Sequence, residues 1–165
     1  MGKWKFFGIS LAILLVGVLA ASLVPAMSQG GRRFVLCEKN GRHDYEKDID
    51  TDQDGEFSAG DQFIFSEPEY DNSGDRIGKS AGKATVIRLL GDRDAIASFN
   101  VSANLKGGRL EIQAAGKFSN FRHNPSFAII GGTGQFAGAG GTITINEKAG
   151  CGGFPKADKL TVELR

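Results

Sequence analysis

Glu38 and Glu67 are the two carboxylates best placed to do chemistry. Glu38 closes the apolar run Arg33–Glu38, RFVLCE, and Glu67 follows the run Gln62–Ser66, QFIFS. Turned into a cavity, each would lose hydration, and a dehydrated carboxyl holds its proton to higher pH and suits acid–base work. The competing reading is two strand-end charges in water. A second constellation is Asp50-x-Asp52-x-Asp54-Gly55 with Asp61 at the twelfth position. Oxygen ligands at positions 1, 3 and 5 and a glycine at 6 are the spacing of a Ca2+ loop. An Asp at position 12 is shorter than the bidentate Glu usual there, and no helical pattern flanks the loop, so a solvated acidic loop competes with it. His43 and His123 lie in polar stretches with no nucleophile and carboxylate arranged around them, which disfavours a hydrolase triad.

The glycine-dense stretch Phe127–Glu147, FAIIGGTGQFAGAGGTITINE, invites a phosphate-loop reading. Such a loop needs a helix behind it. Thr142–Asn146 instead alternates with period two and is β-branched, so the stretch predicts a strand-to-strand corner.

The elements that must position these groups are strands. The spacing predicts Arg33–Glu38, Gln62–Ser66, Lys83–Leu90, Ala95–Leu105, Arg109–Ala115, Ser126–Ile130, Thr142–Glu147 and Lys159–Leu164. Pro68 is expected to end the second strand or mark an edge. Asn40–Ala59 reads as a polar loop. Ala95–Leu105 alternates most clearly, with Ala97, Phe99, Val101, Ala103 and Leu105 on one face and Ser98, Asn100, Ser102 and Asn104 on the other. Lys106-Gly107-Gly108 turns it into the next strand. Short connections make neighbours antiparallel, and eight such strands fit a small closed barrel or a sandwich, of which closure removes exposed edges.

The domain does not begin at residue 1. Lys3 and Lys5 precede an apolar run, Phe6–Val24, and Ala26-Met27-Ser28 supplies small residues for cleavage, the layout of a signal peptide over residues 1–28. An uncleaved membrane anchor is the alternative, and the only route to a membrane partner. Residues 29–165 form one domain. Loss of the signal turns the formal charge of +1 slightly negative, and no basic stripe suggests nucleic acid. In an exported chain the two cysteines, Cys37 and Cys151, read as a disulfide between the first strand and a loop before the last.

Two segments carry a resemblance. Gly60–Tyr70, GDQFIFSEPEY, followed by Arg76–Gly82, RIGKSAG, resembles the "GD…F…Y…RVG…AG" segment of plant allene oxide cyclases. Ala128–Gly141, AIIGGTGQFAGAGG, is similar to their glycine corner and to the "VVGGTG-F—ARG" corner of dirigent proteins, whose "VGRAQG" element matches Ile77–Gly82. The resemblance implies an all-β, eight-stranded antiparallel barrel around a ligand cavity, with Phe65 and Tyr70 as candidate ligand contacts. It also marks departures. Glu67 stands where the cyclases carry Asn, Ala84 where they carry Cys, and no proline lies between Pro25 and Pro68. Gln135 and Gly140 replace the Asp and Arg of dirigent proteins. The expectation is therefore a secreted barrel that binds a small apolar molecule and guides its cyclisation or coupling by shape, with Glu38 or Glu67 as polar handle. A non-catalytic binding or structural barrel is the alternative. No cofactor is expected, Ca2+ being the alternative, and a homo-oligomer is left open.

Overall fold

A computed structural model describes residues 31–39, 44–91, 94–121 and 124–165. The signal segment and both histidines lie outside the described residues. Nine strands form: β1 Arg33–Glu38, β2 Tyr45–Ile49, β3 Gln62–Tyr70, β4 Arg76–Leu89, β5 Ala95–Leu105, β6 Gly108–Lys117, β7 Ser126–Gly134, β8 Gly141–Asn146 and β9 Asp158–Leu164. The one helical element described is a 3-10 turn, Phe118–Phe121. Strands β3 to β9 are each paired antiparallel with the next, β9 pairs with β1, and β1 returns to β3. This closes an eight-stranded antiparallel barrel, as the alternation implied, with β2 as an added strand on β3.

The strand β2 corrects the reading of Asn40–Ala59 as loop. YEKDI is exposed at four of its five positions, so it has no buried face and leaves no alternation. Charged residues on a short outer strand also block further strand addition. The strand β3 is the second correction, because it passes through Pro68 to Tyr70. One flank of β3 pairs with β4 throughout. The other flank pairs with β2 from Gln62 to Ser66 and with β1 at Glu69 and Tyr70. Pro68 lies where that flank changes partner, so its missing N–H interrupts no ladder there.

The third correction is β4, which starts at Arg76 rather than Lys83. Its glycines look like breakers but sit against β5. A Cβ on Gly78 would meet the carbonyl oxygen of Asn104, and one on Gly82 would lie 2.7 Å from that of Asn100. At the glycine corner β7 runs on to Gly134 and β8 starts at Gly141. Between them Phe136 is carried into the barrel end, 2% exposed and stacked 5.9 Å from Phe34.

Apolar residues from β1 and β5 to β9, with Phe136, pack one end of the barrel. Burial of this kind contributes about 25 cal/mol per Å2 of apolar surface and holds the closed sheet. On the outer side a smaller cluster of Cys37, Cys151 and Ala157 carries Val35, Tyr70 and Phe154. Here the expected disulfide is present, joining Cys37 to Cys151 with Cα atoms 5.5 Å apart.

Candidate functional site

The other end of the barrel is hollow. A cavity of about 680 Å3 is bounded by the inward faces of β1, β3, β4, β5, β6, β7, β8 and β9. It rests on Leu36, Ala103, Ile112, Ile143 and Leu160, which also belong to the packed core. Ala97, Phe99, Val101 and Ala103 of β5 face it, so the alternation read in Ala95–Leu105 maps onto lumen and exterior. Phe99 gathers rings around it, with centroids 4.5 Å from Phe121, 5.8 Å from Phe127 and 6.2 Å from Phe118. Phe57, which lines the cavity and is 58% exposed, marks its rim.

One wall is polar. On β3 the period of two sends Phe63, Phe65, Glu67 and Glu69 inward, and on β1 it sends Leu36 and Glu38 inward. Glu38 and Glu69 are direct partners across the β1–β3 seam. Glu38 is in hydrogen-bonding contact with both Glu67 and Glu69. Burial first, then the charges of Glu69 and Glu67, hold its carboxyl well above the ordinary value. Burial also pushes Glu69 up to about 7, offset in part by the Glu38 and Ser80 side chains beside it. Oε2 of Glu69 and Oγ of Ser80 are buried with no well-formed hydrogen bond of their own. Like charges this close do not both ionise readily, so at neutral pH the Glu38–Glu69 pair holds a proton. A carboxyl that keeps its proton next to one that gives it up is an acid and a base in one place.

Of the residues singled out in the sequence, Glu38, Glu67 and Phe65 meet on this wall. Tyr70 does not. One step out of phase with Glu69, it faces outward and packs edge-on against Phe154, ring centroids 5.4 Å apart. Lys39 Nζ lies over both rings, 4.2 and 3.9 Å from their centroids. Glu69 and Ser80 were missed. The signal was present for Glu69, since Phe63, Phe65 and Glu67 already define its face, but the expected strand end at Pro68 cut the pattern short.

The acidic loop lies at the rim. Carboxylate oxygens of Asp50, Asp52 and Asp54 come within 4.8 Å of one another, all exposed. Asp61 stands apart from them. Its Oδ1 accepts the Thr51 N–H at 2.9 Å and its Oδ2 the Ser58 N–H at 2.7 Å. These bonds, Thr51 first, hold its carboxyl below the ordinary value and tie the loop to the barrel edge. Gln135, at the dirigent Asp position, donates from Nε2 to the Lys106 carbonyl and braces the β5–β6 turn. No helix among the described residues is long and apolar enough to cross a membrane.

No protein-family model matches the chain, and no curated protein sequence does. Solved structures do. A pyocyanin demethylase is 22% identical with a TM-score of 0.65, covering 81% of this chain and 100% of its own. A nonspecific heme-binding cyclase that catalyses a [4 + 2] cycloaddition during neoabyssomicin biosynthesis is 12% identical with a TM-score of 0.60, covering 100% of this chain and 80% of its own. A pterocarpan synthase dirigent protein is 15% identical with a TM-score of 0.51, covering 82% of each chain. At these identities the likeness is one of fold.

Proposed function

We propose that this chain is an exported barrel that takes a small, largely apolar molecule into its cavity and guides its cyclisation or coupling. The observation that carries the reading is the Glu38–Glu69 carboxyl pair set in one wall of an otherwise apolar chamber of about 680 Å3. Apolar walls with a few convergent polar groups are the usual form of a ligand site. The walls would hold a reactive conformer. At the polar end one carboxyl gives a proton while its partner takes one, so a ring closure or isomerisation proceeds with no net gain or loss of protons. Structural neighbours that are a cyclase and a dirigent protein support the reading by fold. The disulfide supports an exported chain. No cofactor is required by this scheme. Ca2+ at Asp50, Asp52 and Asp54 is the alternative, which a melting temperature unchanged by millimolar Ca2+ would remove.

Native mass spectrometry of the exported protein is the direct test. We expect a small molecule to co-purify, and to be converted by the native protein but not by Glu38→Gln. An empty barrel that also takes up no apolar fluorophore would sink the proposal. A binding barrel without catalysis is the second reading, favoured by the structural use of Gln135, which leaves nothing of the dirigent chemistry at that position. Unaltered release of the co-purified molecule by both proteins would decide for it.

A further inference from the structure

We propose, on the footing of the ligand-binding reading above, that the ligand is a hydrophobic amine: an apolar body carrying one protonated nitrogen, seated against the wall at Glu69 and Ser80. These two residues are 1% and 2% exposed and belong to the cavity wall, where Glu69 Oε2 and Ser80 Oγ lie just beneath the surface with no well-formed hydrogen bond. A buried carboxylate oxygen and hydroxyl whose hydrogen bonds are poorly formed are costly, and a donor that reaches this part of the wall relieves the cost.

The charge of that donor follows from the rest of the lining. Among the described residues, every charged side chain facing the cavity is acidic. Glu38, Glu67 and Glu69 form the wall, and Asp48, Asp50, Glu56 and Asp61 stand at the rim. A cleft lined by one sign of charge concentrates the opposite sign and turns away its own. Phenylalanine faces, of which Phe63, Phe65 and Phe99 line the chamber, favour a cation as well. The nearby lysines are used elsewhere. Lys39 lies over Tyr70 and Phe154 outside the barrel, and Lys79 pairs with Asp44 at 3.6 Å. The groups acting on Glu38 and Glu69 are each other, Glu67 and Ser80. Asp158, the register partner of Glu38 on β9, accepts the Lys148 N–H. A cation is the one charge type this wall lacks.

Three probes of one shape separate charge from fit: 1-naphthylmethylammonium, its hydrocarbon counterpart 1-ethylnaphthalene, and 1-naphthylacetate. We expect the ammonium to bind at least about tenfold tighter than the hydrocarbon, as one charge-assisted hydrogen bond allows, and the acetate to be excluded. The ammonium should bind tighter at pH 8 than at pH 6 and release a proton on binding, read by calorimetry in two buffers, since it displaces the proton held by the carboxyl pair. Glu69→Gln should bring the ammonium down toward the hydrocarbon, whose own affinity reports an intact chamber. If that variant does not fold, Ser80→Ala should reduce the preference several-fold. Hydrocarbon or acetate binding as tightly as the ammonium overturns the amine and leaves the ligand-binding barrel standing. Failure of all three probes overturns both.

Discussion

Glu38 on β1 and Glu69 on β3 are register partners in the two-residue seam that closes the barrel, and both turn into the lumen. The arrangement places two acids in a dry wall at the point where the sheet is joined to itself. Stability should therefore carry their titration. Glu69 sits at about 7 when folded, against an ordinary value of 4.5, and Glu38 is displaced in the same direction. The folded chain holds protons that the unfolded chain has released, so the contribution is complete below the ordinary value and is lost as pH rises through the folded one. Urea unfolding should show stability falling between about pH 4.5 and 7, by on the order of 3 kcal/mol for Glu69. Glu69→Gln should flatten that slope and raise stability at pH 8. A profile that rises with pH over this window would contradict the buried pair.

The cavity predicts that filling it helps the fold and harms the site. Ala97 is 1% exposed and faces the chamber beside Phe99. Ala97→Leu should raise unfolding stability by up to about 1 kcal/mol, in the range of cavity-filling changes. It should weaken uptake of any apolar probe at the same time. Equal probe affinity in both proteins would place the probe somewhere other than this chamber.

The disulfide clamps β1 to the loop before β9 across 114 residues of chain. Replacing both cysteines with alanine should cost about 2–5 kcal/mol. Chemical denaturation with and without reductant measures it, the doubly substituted protein being indifferent to reductant.

Asp61 ties the rim loop through the Thr51 and Ser58 amides. Asp61→Ala should speed hydrogen exchange at those two amides and expose residues 50–61 to protease, with the far end of the barrel unaffected. Because the Asp61 carboxyl lies below the ordinary value of 3.8, its tie persists above that pH and is lost as pH falls through the depressed value. The loop should loosen in acid while the glutamate wall tightens.

The barrel was legible because seven of its eight strands alternate or run apolar between turn residues, and the cysteines were legible by count. The eighth, β4, was half hidden. Arg76–Gly82 contains the glycines and small residues that normally break a strand, and only the presence of β5 shows why Gly78 must lack a side chain. The site was legible in Glu38, Glu67 and Phe65, which share inward faces by simple period two. Glu69 was lost to Pro68, whose tolerance depends on a change of partner strand that no local pattern records. Tyr70 looked like a ligand contact from its motif, and the same period two that brings Glu69 inward carries it out.

The order of the sheet has a consequence for biosynthesis. Strands β3 to β9 each pair with the next in sequence and can zip up in the order they are made. The strand β1 is made first but finds its longest ladder, six residue pairs, on β9, which is made last. The β1–β3 seam that carries Glu38 and Glu69 is only two residue pairs long, so closure of the barrel rests mainly on the β1–β9 ladder. A chain halted before residue 158 would lack β9 altogether, leaving an open sheet with no enclosed chamber.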